Sequence, residues 1–327
     1  MRDHQGRRST QFSSQLDKHV VQVWILETHC TRSAVSKFLP LLSPDERARA
    51  ERFRFDQLYC SFVLLRGTLR LALGQYLRIE PEEIRFRYSD TGKPHLNHDS
   101  TVQFNLSHSD EFALLAFANG CEIGVDVERV RPFPELADVA ARVFNYGEQL
   151  QLSRLPPVER TAGFFRGWVR KEAWMKATGD GLLRPTHSFC TALDRSESYR
   201  RVPVDREEDE PEIWNLHDIP VHVQYQAALA YRDAPRLLEI HSWDSANLLA
   251  ARDVSPNRER TGPSPKSMVT LLGVFGQRGI SRLIASAEDG SGGGSRWRLL
   301  KESRPGLRQY RTCHLNSLED QRRRGAL

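Results

Sequence analysis

The stretch Ile123-Gly-Val-Asp-Val-Glu128 lies near the middle of the apolar part of the chain and organises the reading of everything around it. Its alternation is that of a strand, with Asp126 and Glu128 on one face and Val125 and Val127 on the other. Upstream, residues 20–27 alternate in the same way. Ser43-Pro-Asp-Glu46 reads as a helix start, with Ser as cap, Pro in the first turn and Glu placed for a capping box. Helical spacing then runs from residue 46 to about residue 77, with a break near Phe55-Asp56. Strand-like runs follow at 84–88, 102–106 and 112–118, divided by Asp90-Thr-Gly92 and Asn119-Gly120. Downstream, residues 136–144 and 158–178 read as helices. Further strands are expected at 188–193, 213–216, 221–231 and 237–243. Two mixed halves of similar size thus meet near residue 125, which predicts an α+β protein with a cleft between them.

Composition narrows the class. The chain has 327 residues, with 47 Lys and Arg against 42 Asp and Glu, a net charge of +5. Mean hydropathy is −0.54, and no apolar run approaches the roughly 20 residues of a membrane-spanning helix. The basic N-terminus is followed by no hydrophobic core, so it does not read as a secretory signal. Cys30, Cys60, Cys121, Cys190 and Cys313 are scattered without a Cys-x-x-Cys pair. That argues against a disulfide framework or zinc ribbon and for a reducing cytoplasm.

The charge is unevenly spread. Residues 244–327 carry 15 Lys and Arg against 8 Asp and Glu, while residues 19–243 carry 28 against 32. The C-terminal segment also holds 10 of the 21 glycines and ends in Arg322-Arg-Arg324. Such composition predicts a mostly disordered basic tail at 244–327 and a short disordered extension at 1–18. The expected folded halves are 19–125 and 126–243.

Two segments carry chemistry. Asp126 and Glu128 on one strand face repel each other unless water or a cation separates them, and a hard divalent cation takes such oxygen ligands. Two solvated acids at a strand end are the simpler alternative. In Phe164-Phe-Arg-Gly-Trp-Val-Arg-Lys-Glu-Ala-Trp-Met-Lys-Ala-Thr-Gly179, Glu172 falls on an apolar helical stripe, with Lys176 one turn on. A carboxylate among aromatics needs a partner. Lys176 could supply it as an i,i+4 ion pair; alternatively Glu172 completes a metal site and Lys176 faces a phosphate.

The pairing of Ile-Gly-Val-Asp-Val-Glu with Trp-Val-Arg-Lys-Glu-Ala-Trp-Met-Lys resembles the signature of the 4′-phosphopantetheinyl transferases. Size and two-part layout are similar to the surfactin-synthetase-activating type, a pseudo-dimer in one chain. Gly92-Lys-Pro-His95, Phe104-Asn-Leu-Ser-His-Ser109 and Phe144-Asn-Tyr-Gly-Glu148 match further family segments in the same order, so the likeness spans roughly residues 20–243. It implies a cytoplasmic, monomeric enzyme that uses coenzyme A, bound in the cleft, and an apo acyl or peptidyl carrier protein of fatty-acid, polyketide or non-ribosomal peptide synthesis. It also implies Mg²⁺ held by Asp126, Glu128 and Glu172, with phosphates met by Lys176, Lys93 with Pro94, and Ser107 with His108. Arg66 and Arg70 are expected to compensate for Ser61, which stands where the family often has an Arg. Glu172 or a metal-activated water, with Glu148 as helper, are the candidates for taking the serine proton, and Lys171 is expected to be peripheral. A binding module without catalysis is the rival reading; nucleic-acid binding through the tail ranks below both.

Overall fold

The computed structural model describes residues 16–179, 186, 189–195, 198–204 and 212–243. Among them are ten strands: β1 (Val20–Glu27), β2 (Phe86–Tyr88), β3 (Pro94–Leu96), β4 (Val102–Ser109), β5 (Phe112–Asn119), β6 (Ile123–Arg129), β7 (Tyr199–Val204), β8 (Glu212–Asp218), β9 (Tyr225–Arg232) and β10 (Leu237–Ser242). The α-helices are α1 (Arg32–Val35), α2 (Pro44–Ala50), α3 (Asp56–Leu77), α4 (Leu136–Val143), α5 (Tyr146–Arg154) and α6 (Pro157–Thr178). The protein is α+β. No described helix is long and apolar enough to cross a membrane.

Two four-stranded sheets, ordered β10-β1-β5-β4 and β6-β9-β8-β7, pack face to face. Between them lie Val21, Val23, Leu114 and Ala116 of the first sheet and Val125, Val127, Ala227 and Leu229 of the second. The opposite face of the first sheet, with Trp24, Leu115 and Phe117, packs on Leu65, Leu69 and Leu73 of α3. The opposite face of the second, with Trp214, Ala228 and Ala230, packs on Phe165, Val169 and Ala173 of α6. Period-two alternation in β5 and β9 therefore feeds two cores at once. The result is four layers, helix, sheet, sheet and helix.

The local signals explain the frame. Ser43 and Glu46 form the expected capping box, the Ser43 amide donating to the Glu46 carboxylate at 3.0 Å. At the end of α6, Gly179 takes the left-handed conformation (φ 82°) that closes the helix. Gly124 serves close packing instead, since a Cβ there would stand 2.0 Å from the Ala173 carbonyl oxygen. Only glycine lets β6 lie directly against α6.

Several expectations change. The break at residue 125 falls inside β6, and β10 does not belong to the second half: it returns to pair in parallel with β1. Gln22 donates to Glu239 at 2.9 Å and His241 stacks on Trp24 at 4.4 Å, which seats it there. Within the extension expected at 1–18, Leu16 is buried against α3 and its carbonyl accepts from Asn119. Residues 1–15 and the basic tail 244–327 lie outside the described residues. The expected strand at 188–193 is not a strand where it is described; side chains hold its backbone. Arg166 and Arg170 donate to the carbonyls of Leu193 and Ala192, and the Thr191 amide donates to Glu148. Helix α5 and strand β7 add to the expected elements, although Asn145-Tyr-Gly-Glu148 is itself a capping box.

Candidate active site

Strands β4 and β6 lie side by side in different sheets, and no backbone ladder joins them. Side chains of β4 bridge the gap instead. Asn105 Oδ1, Ser107 Oγ and Ser109 Oγ accept the backbone N–H groups of Val125, Val127 and Arg129 at 3.0, 3.4 and 3.1 Å. The same two hydroxyls donate to the acids between those amides: Ser107 to Asp126 Oδ1 at 2.8 Å, and Ser109 to Glu128 Oε2 at 2.9 Å. The seam between the halves is thus also the mount for both carboxylates. Because Val125 and Val127 face the first sheet, Asp126 and Glu128 face α6.

From α6, Lys176 Nζ donates to Asp126 Oδ1 at 2.6 Å and to Ser107 Oγ at 3.0 Å. This replaces the i,i+4 pairing with Glu172: the ammonium reaches across to the strand. Glu172 is half-buried and makes no hydrogen bond or ion pair with another described residue.

The electrostatics follow. Burial raises the Asp126 carboxyl, against the pull of Lys176 and Ser107. Burial and the neighbouring Asp126 charge push Glu128 up to about 8, partly relieved by Ser109. The same two causes push Glu172 up to about 7, against Lys176. Burial alone would lower Lys176, but Asp126 and Glu172 hold its ammonium above the ordinary range. Three acids therefore draw on the Lys176 ammonium, with Arg131 adding only a weaker pull on Glu128, and one buried oxygen, Asp126 Oδ2, has no hydrogen-bond partner. Such a set must hold protons or a further cation. Its hard oxygen donors suit a divalent ion such as Mg²⁺. Among the described residues, however, no group of three His, Cys, Asp or Glu side chains is already arranged to hold one.

The remaining expected residues divide. His108, on β4, is half-buried, with its Nδ1 buried and unpartnered; burial and the Lys176 charge lower its pKa, which favours the neutral ring. Lys93 and Pro94 belong to the β2–β3 hairpin, and Lys93 Nζ donates to the Ala177 carbonyl at the end of α6, 2.8 Å away. Arg66 donates to Tyr88 of the same hairpin at 3.0 Å, with its Nη1 buried and unpartnered.

Other expectations are corrected. Glu148 does not join the cluster. It is fully buried, caps α5 at Asn145, accepts from Thr191 and pairs with Lys171 at 3.0 Å. Its oxygens are taken up by Asn145, Thr191 and Lys171. Lys171 is correspondingly a buried strut, donating to the Thr186 and Phe189 carbonyls, and not peripheral. Arg70 cannot stand in for an arginine at Ser61: Glu46 and the carbonyls of Pro81 and Ile84 occupy its guanidinium. Ser61 itself donates to the Thr28 carbonyl. Asn105 and Ser109 join the site without having been expected there; their alternation with Ser107 on β4 is the signal that could have exposed them.

Comparison with known proteins identifies the family. Residues 28–119 match the family described as 4′-phosphopantetheinyl transferase, N-terminal, and residues 122–230 match the 4′-phosphopantetheinyl transferase superfamily. The two matches meet at the turn between β5 and β6. The chain is 40% identical over 167 residues to the 4′-phosphopantetheinyl transferase HetI of a Nostoc species, covering 50% of this chain and 70% of that protein. It is 31% identical over 184 residues to psf-1 of Bacillus pumilus, 56% of this chain and 78% of that protein. Sfp of Bacillus subtilis is 29% identical over 157 residues, 48% of this chain and 69% of that protein. On the fold, the seam and these likenesses together, the chain belongs to the 4′-phosphopantetheinyl transferases, enzymes that transfer phosphopantetheine from coenzyme A to carrier proteins.

Proposed function

We propose that the transfer takes place at the β4–β6 seam, with Asp126, Glu128 and Glu172 as the ligands of a Mg²⁺ ion and Lys176, His108, Ser107, Lys93 and Arg66 meeting the phosphates of coenzyme A. The carrier's serine oxygen attacks the phosphorus next to the pantetheine arm. The bond from that phosphorus to the bridging oxygen breaks, and adenosine 3′,5′-bisphosphate leaves. The observation that carries this reading is the excess of buried acid over base at one point of the seam. A bound Mg²⁺ supplies charge neutralisation and orientation of the pyrophosphate.

The chain's own groups have distinct roles. Lys176 offsets charge that builds on the phosphates and is held for it by Asp126 and Ser107. Glu172, which has no committed hydrogen bond to another described residue, is the group suited to accept the serine proton. Neutral His108 offers a ring N–H to an anion without adding charge. The protein acts as a monomer in the cytoplasm, a setting supported by the free thiols of Cys30, Cys60, Cys121 and Cys190.

The test incubates the protein with coenzyme A and a panel of apo carriers, with and without Mg²⁺, and follows the phosphopantetheine mass increment. The expected result is Mg²⁺-dependent modification that is lost in Asp126→Asn while the fold persists. Full activity of Asp126→Asn, or equal turnover in a chelator, would remove the metal assignment.

A further inference from the structure

The helix that carries Glu172 and Lys176 belongs to the second half of the molecule, yet its last turn is gripped by the first. The grip comes from the β2–β3 hairpin. Within its turn, the Gly92 amide donates to the Ser89 carbonyl at 2.8 Å, with Gly92 in the left-handed region at φ 85°. The Lys93 amide donates to Ser89 Oγ at 3.0 Å, and the Ser89 and Thr91 hydroxyls stand 2.8 Å apart. This turn is therefore internally tied and moves as a unit. From it, Thr91 Oγ1 donates to the Gly179 carbonyl at 2.7 Å, and Lys93 Nζ to the Ala177 carbonyl at 2.8 Å. Both acceptors are end-of-helix carbonyls that no intrahelical amide reaches. An ammonium at that end also suits the helix dipole.

We propose that Thr91 is a positioning residue for coenzyme A binding: its hydroxyl clamps the hairpin to the end of α6 and so fixes Lys93, on one half, against Lys176 and Glu172, on the other. The inference rests on the phosphate-binding assignment of Lys93 and Lys176. One ligand must be met by groups from both halves, so their separation has to be set before it arrives. Lys93 is the weaker anchor, because its ammonium has to share its donors between Ala177 and the phosphate. The threonine hydroxyl carries no charge and keeps its contact throughout. Without it, each binding event has to order the hairpin against the helix, which weakens binding but leaves the bound complex unchanged.

The experiment compares wild type, Thr91→Val and Thr91→Ser. It measures coenzyme A binding by calorimetry, KM and kcat for transfer to one carrier, and amide exchange in the last turn of α6. For Thr91→Val the expected result is a Kd and KM raised about fivefold to tenfold, the worth of one hydrogen bond. Turnover stays within about twofold, since the bound geometry is restored. Exchange at Gly179 and its neighbours should quicken. Thr91→Ser keeps the hydroxyl and should restore all three readouts. A lowered Tm with unchanged Kd and KM would overturn the proposal and leave a merely structural contact. Failure of the wild-type protein to bind coenzyme A would instead sink the phosphate assignment on which it rests, so the two failures are distinguishable.

Discussion

Helices α3 and α6 are each 22 residues long, and each buries charged side chains, but they settle those charges differently. On α3, Arg70 is only 1% exposed and meets Glu46 at 2.7 Å together with two carbonyls. On the outer turns of α6, Arg166, Arg170 and Lys171 do likewise with carbonyls, Asp218 and Glu148. Arg70, Arg170 and Lys171 each meet a carboxylate together with carbonyls, which is how a fold tolerates buried charge. At the very next residue of α6 the balance reverses. Glu172 arrives beside Asp126, and these two together with Glu128 draw on the Lys176 ammonium. The difference separates struts from machinery: balanced buried charge holds the frame, and unbalanced buried acid waits for a ligand.

The contrast can be broken at its widest point with Glu172→Gln. Turnover should fall by about 10²–10⁴-fold, the usual worth of a positioned acid or base. Thermal stability at pH 8 should be retained or rise, because one of three repelling charges is gone. A loss of stability with near-normal turnover would place Glu172 among the struts. Lys171→Met, one residue away, should do the opposite. It strands Glu148 as an uncompensated buried charge, at a cost of about 3–5 kcal/mol in denaturant unfolding. Activity per folded molecule should remain comparable well below the melting point; a specific loss of turnover would erase the distinction between neighbouring residues.

Ser109→Ala makes a subtler change. It removes the hydrogen bond to Glu128 and the seat of the Arg129 amide, and should weaken Mg²⁺ affinity by about 10–100-fold, as loss of an outer support of a metal ligand does. Titration of Mg²⁺ against Tm reads this without turnover. Smallest is the effect of pH. Folded carboxyls near 7 and 8 bind protons that the unfolded chain releases near its ordinary range, about 4.3. Their contribution to stability therefore declines as pH rises from there through 8. Mg²⁺ replaces those protons, so it should raise Tm by more at pH 8 than at pH 6. Equal shifts at the two pH values would place Mg²⁺ elsewhere.

Much of this was legible in the residues. Alternation placed Asp126 and Glu128 on one face, helical spacing placed Glu172 above Lys176, and the capping box at Ser43 started a helix where expected. What stayed hidden was non-local. Lys176 prefers Asp126, 50 residues away, over the carboxylate one turn behind it, because only the packed fold brings β6 under α6. Glu148 looked like a site residue for the same reason that it is a strut: it is an acid close to the site in sequence, and its partner Lys171 is invisible until the helices pack. Residues 189–193 are apolar and short, like a strand, but cationic side chains took their backbone groups before another strand could. The partner of β10 lies 217 residues back along the chain, beyond the reach of any local pattern.

That last pairing has a practical consequence. In the order β10-β1-β5-β4, the strand that leads to Trp243 occupies one edge of its sheet and the reacting seam occupies the other. Three strand spacings, roughly 14 Å, separate the two edges. A fluorophore, affinity handle or surface tether joined after Trp243 therefore departs from the sheet edge opposite β4. Attachment by that route keeps a linker away from the β4–β6 seam, the proposed reaction site, whereas attachment at the hairpin tip would place it against Gly179 at the end of α6.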